Sequence, residues 1–299
     1  MDSYKVALSE LAQSRKRPLS DEETKRLKDV LIKAYCDIAV VCNKYNLKLM
    51  LGGGSCLGAI RHNGFIPWDD DLDVNMPRKD YEIFKKVFEK ELGESYILNA
   101  PNYSEKPISR FPKIMIKGTK YIEEGMSTDD TSLINIDLFV MENVPSSKIY
   151  RLFKGGMATL LMAIAGSVEF MDWYKKDKSN PIFETKGMIE ARKKRQILGT
   201  IFSFRSKYYW YNKVDLACQY DKETDLVGFP TGRKHYFGEI HKRMEILPLS
   251  EAVFEGISVK VPGDVKSYLT GLYGNKYMEV PPVEKRETHF VVDISFDNI

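Results

Sequence analysis

Five residues, Asp69-Asp70-Asp71-Leu72-Asp73, place four carboxylates side by side, directly after Ile66-Pro67-Trp68 and before Val74. Carboxylates that close repel one another and cannot be buried without a counter-charge. If Asp71 to Val74 is a strand, side chains alternate faces. Asp69, Asp71 and Asp73 then point one way, while Leu72 and Val74 point into the core. Acidic oxygens on one strand face suit a hard divalent cation such as Mg2+. Upstream, Gly52-Gly53-Gly54-Ser55 reads as a tight turn opening a short helix over 55–62. Backbone amides at such a helix start suit phosphate. Together these two features point to phosphoryl or nucleotidyl transfer.

A run of aspartates can equally be a solvated loop or a set of helix caps. Against that, this run is bracketed by Ile66-Pro67-Trp68 and by an apolar alternation, which embeds it in ordered structure. The glycine turn alone says little, because glycine turns are common. The combination of turn and carboxylates says much more.

The stretch LGAIRHNGFIPWDDDLDVNMPRKDY resembles the signature of the LicD family, a branch of the nucleotidyltransferase-fold superfamily. That family includes bacterial phosphocholine transferases and the fukutin-type proteins. The superfamily pattern is a glycine-rich helix start, a D-x-D strand and a third acid on a later strand. Here those positions are Gly53, Gly54 and Ser55, then Asp71 and Asp73, then Asp137 within Ile134-Asn135-Ile136-Asp137-Leu138-Phe139. The resemblance continues through Phe254-Glu255-Gly256, Tyr268-Leu269, Tyr273-Gly274 and Pro281-Pro282, covering about residues 25–145 and 235–290.

With 299 residues, the chain has room for one large domain or two modest ones. An apolar fraction of 43% against 29% charged is ordinary for a soluble globular protein. A net charge of +3 is too small to imply nucleic acid without a local patch. Cys36, Cys42, Cys56 and Cys218 form no C-x-x-C pair, so they read as reduced core residues. MDSYKVALSELAQSRKRPLSDEE has no apolar leader segment, so a cytoplasmic protein is expected, working at the inner face of the membrane if its acceptor is lipid-linked.

Along the chain, residues 1–19 carry one short apolar stripe and suggest a loosely attached helix. Ser20 and Glu23 form a capping box that starts a helix ending near Tyr45. Leu47 to Leu51 reads as a strand delivering the glycine turn. Arg78 opens an amphipathic helix to about Leu92, and strands follow at 96–98, 108–116 and 134–140. Further strands are expected at Tyr236-Phe237, Met244 to Leu247 and Ile257 to Val261, with a helix over Val265 to Tyr273. The expected fold class is α+β (α/β-like): a nucleotidyltransferase-type mixed sheet flanked by helices, with a helical insertion in the second half. The core covers about 20–145 with 226–299 returning to it, and the helical subdomain about 146–225.

Within that insertion, Gly155 to Val168 is apolar on all sides but ends at Glu169, short of the roughly 20 residues of a membrane span. It reads first as a buried helix; contact with a membrane surface is the lesser alternative. The basic run Arg192-Lys193-Lys194-Arg195 reads as a solvated helix face. Tyr208-Tyr209-Trp210-Tyr211 reads as core packing, although aromatic cages also hold quaternary ammonium groups.

The resemblance implies transfer of a phosphorylated alcohol, phosphocholine foremost, from CDP-choline or a related CDP-alcohol to a hydroxyl on a glycan or lipid-linked glycan, releasing CMP. Nucleotidyl transfer from an NTP, or a binding protein with a vestigial site, are the alternatives. No nucleic-acid partner is expected, and peripheral membrane contact is the lesser alternative to a buried helix. Mg2+, or Mn2+ in its place, would be held by Asp69, Asp71, Asp73 and Asp137. Asp71, Asp73 and Asp137 form the catalytic set. Gly53, Gly54, Ser55, Arg61, His62 and Lys113 would meet substrate, with His62 as readily a structural histidine.

Overall fold

The computed structural model describes residues 19–123, 132–176, 186–286 and 291–296. The helix expected over residues 1–19 lies almost wholly outside them. In chain order the elements are α1 (Asp21–Lys44), β1 (Met50–Leu51), α2 (Gly53–His62), β2 (Asp73–Pro77), α3 (Arg78–Leu92), β3 (Tyr96–Asn99), β4 (Lys113–Ile116), β5 (Lys120–Glu123) and β6 (Asn135–Asn143). Helices α4 (Lys148–Lys176), α5 (Lys186–Phe202) and α6 (Lys207–Cys218) follow. The chain then forms β7 (Leu226–Gly228), α7 (His235–Gly238), β8 (Ile240–Lys242), α8 (Arg243–Ile246), β9 (Ser250–Phe254), β10 (Ile257–Val261), α9 (Val265–Tyr273) and β11 (Val291–Ser295).

Capping starts the first helix as its sequence dictates. The Ser20 hydroxyl accepts from the Glu23 amide, and the Glu23 carboxylate accepts from the Ser20 amide. Leu27, Leu31, Ile38 and Val41 recur at helical spacing and are buried, so α1 presents one apolar stripe to the core. Burying each such side chain contributes about 1.5–3 kcal/mol, and Ile38→Ala would cost about 2–5 kcal/mol. On α3, Tyr81, Phe84, Phe88 and Leu92 do the same.

These two helices pack on a mixed sheet ordered β1-β2-β6-β4-β3. β2 and β6 run parallel at its centre, whereas β1–β2, β6–β4 and β4–β3 are antiparallel. β7 joins the C-terminal end of β6 and pairs with β8, which ties the last third of the chain to the sheet. Hairpin β9–β10 and helix α9 close over α2 from the other side. The fold is therefore α+β, as expected. Helices α4 to α6 pack chiefly on one another around a second apolar cluster that includes Ala158, Met162, Trp210, Tyr211 and Val214.

Several elements depart from expectation. β2 begins at Asp73, so Asp69 and Asp71 precede the strand instead of lying on it. The reason is pairing: β1 is two residues long and meets only Val74 and Asn75, after which Gly52 turns into α2. The strand expected over 108–116 shortens to β4, because side chains hold its first half: the Asn99 carboxamide oxygen accepts from the Ile108 amide, and the Ser109 hydroxyl from Phe111. Tyr236-Phe237 and Met244 to Ile246 fall in the helical turns α7 and α8, and Leu247 follows in extended backbone. Short apolar runs do not separate strand from helix by periodicity. Glu245 decides the second case, its carboxylate capping the Lys242 amide. β5, which pairs with β11, was not anticipated.

Candidate functional site

The parallel pairing of β2 and β6 places Asp73 directly across from Asp137. Backbone bonds lock this corner: the Asp137 amide donates to the Leu72 carbonyl at 3.1 Å, and the Gly52 amide to the Asp73 carbonyl at 3.0 Å. Leu72 and Val74 are fully buried, so the alternation read from sequence holds at those positions. Asp69, Asp70, Asp71 and Asp73 are each half-buried. Asp70 leaves the group, accepting from the Tyr121 hydroxyl at 2.7 Å.

Helix α2 starts against these carboxylates, and its glycines explain how it gets so close. Gly53 has φ +44°, a left-handed conformation that disfavours any side chain, and a Cβ there would sit 2.5 Å from an Asp73 carboxylate oxygen. At Gly54 a Cβ would sit 2.9 Å from a carboxylate oxygen of Asp69. The helix begins at Gly53, ahead of the expected start. First-turn amides have no partner within their own helix, and the positive end of the helix faces the acidic cluster. Ser55 is buried, and its hydroxyl accepts from the Asp73 amide at 2.8 Å, coupling α2 to β2. Its side chain is thus used inside the fold.

Like charges crowd in this corner. Burial, and then the charges of Asp71, Asp137 and Asp69, hold the Asp73 carboxyl well above the usual carboxylate range; Lys113 opposes them. Lys113, on β4, sits across from Asp137 and donates to it at 2.5 Å and to Asn135 at 2.9 Å. It is thus a counter-ion of the cluster. The donor set fits a hard divalent cation by chemistry, since its side-chain ligands would all be oxygens. Among the described residues no three Asp, Glu, His or Cys side chains stand as a finished ligand cage.

Arg61 and His62 lie at the other end of α2. The Arg61 guanidinium donates to the carbonyls of Tyr277 at 2.9 Å and Glu279 at 3.3 Å and lies 5.9 Å from the Trp68 ring, fastening the C-terminal segment to the helix. Its Nε donates to His62 Nε2 at 2.9 Å. Burial, helped by the Arg61 charge, lowers the His62 pKa, which favours the neutral ring.

Three site residues have no signal in the aspartate run. Tyr268 on α9 is buried, and its hydroxyl accepts from the Gly53 amide at 3.0 Å and the Asn75 side chain at 3.2 Å. Asn75 in turn packs against Gly52, where a Cβ would sit 2.5 Å from its Oδ1. Tyr273 lies within electrostatic reach of Asp73 and Asp69; burial and those two charges raise its phenol pKa. The tyrosines belong to the Tyr268-Leu269 and Tyr273-Gly274 stretch of family resemblance, which pointed to them without giving their partners.

Comparison with known proteins agrees with this geometry. The family model described as "LicD/FKTN/FKRP, nucleotidyltransferase domain" matches residues 46–125, a span that holds β1, α2, β2 and the aspartates. The lipopolysaccharide cholinephosphotransferase LicD of Haemophilus influenzae is 26% identical over 265 residues, covering 84% of this chain and 89% of that protein. Two uncharacterized proteins match shorter stretches. One, of Rickettsia typhi, is 36% identical over 83 residues, covering 25% of this chain and 27% of that protein. The other, of Rickettsia prowazekii, is 38% identical over 68 residues, covering 21% and 26%. The glycine-led helix and the aspartate strand thus lie in the stretch similar to the LicD nucleotidyltransferase domain, and the likeness to the Haemophilus protein runs along most of the chain.

Proposed function

We propose that this protein is a phosphocholine transferase, moving the group from CDP-choline to a hydroxyl of a cell-surface glycan or its lipid-linked precursor and releasing CMP. The observation that carries the reading is Asp73 opposite Asp137, beside the amide end of α2. The relative named above, a lipopolysaccharide cholinephosphotransferase, supports the substrate class. In the reaction the glycan oxygen attacks the choline-bearing phosphorus. An O–P bond forms, the bond to the CMP oxygen breaks, and the hydroxyl proton is lost.

Asp71 and Asp73, with Asp69 beside them, would hold Mg2+ or Mn2+. When bound, such a cation neutralises charge on the phosphoryl oxygens. The chain's own groups do the rest. First-turn amides of α2 face the diphosphate and favour its negative charge. Tyr268 and Asn75 hold Gly53 in place, so that the amide end of the helix does not drift. Asp137, partnered by Lys113, would complete the acidic set and receive the acceptor's proton. Ser55 contributes through the Asp73 amide, and Arg61 and His62 through the C-terminal segment they fasten.

Incubating the chain with CDP-choline, Mg2+ and a glycan acceptor tests this. CMP release coupled to acceptor modification is expected, with at least about a 10²-fold loss in Asp73→Asn. Pyrophosphate release from an NTP instead would move the reaction to nucleotidyl transfer.

A further inference from the structure

Helix α4 is the one described helix whose length and mean hydropathy, 1.2 over its apolar window, match those of a membrane span. Half of it is committed to protein: Ala158, Met162, Ile164, Ala165 and Val168 pack in one cluster with Trp210, Tyr211, Val214 and Cys218. The other half is not. Ile149 is 83% exposed, Leu152 64%, Phe153 66%, Met157 42% and Leu160 51%. With Gly156 and Ala163, also exposed, these positions recur every three or four residues and form one face, about 21 Å long at 1.5 Å per residue. Between Lys154 and Glu169 the helix has no ionisable side chain. Lys154 itself turns inward, its ammonium donating to the Ala217 carbonyl. Thr159, the polar residue on this side, donates back to the Gly155 carbonyl. A contiguous apolar face of this size is not a solvated surface.

Charge says what covers it. Lys148 and Arg151 stand at the start of the stripe, and Trp173, Tyr174 and Lys175 beyond its end, the residue types of a membrane interface. Residues 146–225 carry 15 Lys and Arg against 9 Asp and Glu, a net +6, although the whole chain is only +3. A second copy of this chain would set two such positive segments against each other, whereas an anionic bilayer complements them. With one face held by α5 and α6, the helix can lie flat with the other face in the headgroup layer. We infer that the exposed face of α4 docks this protein on an anionic lipid surface. The inference stands on the surface alone and does not depend on the reaction proposed above.

Flotation of the full chain with vesicles tests it, using phosphatidylcholine alone and phosphatidylcholine mixed with phosphatidylglycerol. Binding to the mixed vesicles is expected, weaker on phosphatidylcholine alone and weakened by salt. Phe153→Ser and Leu160→Ser should each reduce it roughly tenfold, since each removes one inserted side chain, with the melting temperature unchanged. Failure to float with anionic vesicles would overturn the inference. So would equal binding by the double variant, or a dimer in sedimentation velocity that the same substitutions dissolve.

Discussion

Asp73 and Asp137 are register partners on parallel strands, and Lys113, the antiparallel partner of Asp137 on the far side, forms an ion pair with Asp137. The chain thus gathers acidic side chains at the centre of its sheet, with the start of α2 set against them.

Asp73→Asn should stabilise the metal-free protein while abolishing its activity. The Asp73 carboxyl is held up by burial and by Asp71, Asp137 and Asp69, so the folded state keeps its proton longer than the unfolded state does. Stability contributed by this group therefore falls as pH rises above the ordinary carboxylate value of about 3.9. The neutral amide removes that fall. Melting curves at neutral pH without divalent ions should show the variant above wild type. Mg2+ should raise wild type and leave the variant unmoved.

Gly53→Ala should disable the site more than the fold. Its φ of +44° and the 2.5 Å approach to Asp73 leave no room for a methyl group. Strain alone costs about 1–2 kcal/mol, and the displaced carboxylate adds to it. The expected result is a modest drop in melting temperature with turnover lost, read from thermal melts and CMP release.

Tyr268→Phe should leave the Gly53 amide and the Asn75 carboxamide without their shared acceptor. An orphaned buried donor costs about 1–3 kcal/mol. Urea melts should show a loss in that range, and kcat should fall because the amide end of α2 is no longer fixed.

A second pH effect comes from Glu239, far from the aspartates in sequence. Burial pushes its carboxyl up to about 7, although it accepts from the Lys234 amide at 2.6 Å. With the folded pKa raised, its contribution to stability is full below the unfolded value of about 4.3 and declines as pH rises toward 7. Glu239→Gln should flatten that part of the stability profile, measured by urea titration at a series of pH values.

Much of the core was legible in sequence because its signals are local. The Ser20–Glu23 box, the stripe on α3 and the helix over Val265 to Tyr273 all carry their own start signals and periodicity. Asp73 and Asp137 were readable as a set through the family resemblance, whose pattern asks for a third acid on a later strand. What escaped was non-local. The register of Lys113 opposite Asp137 depends on strand order, which no local pattern reveals. The uses of Ser55 and Arg61 within the fold depend on segments tens to hundreds of residues away. Tyr236-Phe237 and Met244 to Ile246 are helical where strands are expected, because so few apolar-rich residues fit either period. The exposed half of α4 was hidden for a similar reason, since a helix apolar on all sides does not declare which face its neighbours will cover.

The most direct measurement is anomalous scattering from a crystal soaked with Mn2+ and CDP-choline. A peak bounded by carboxylate oxygens of Asp71 and Asp73, with the diphosphate against the first turn of α2, is the predicted result. A nucleotide bound elsewhere, or no cation at the aspartates while Lys113 keeps Asp137, would contradict it.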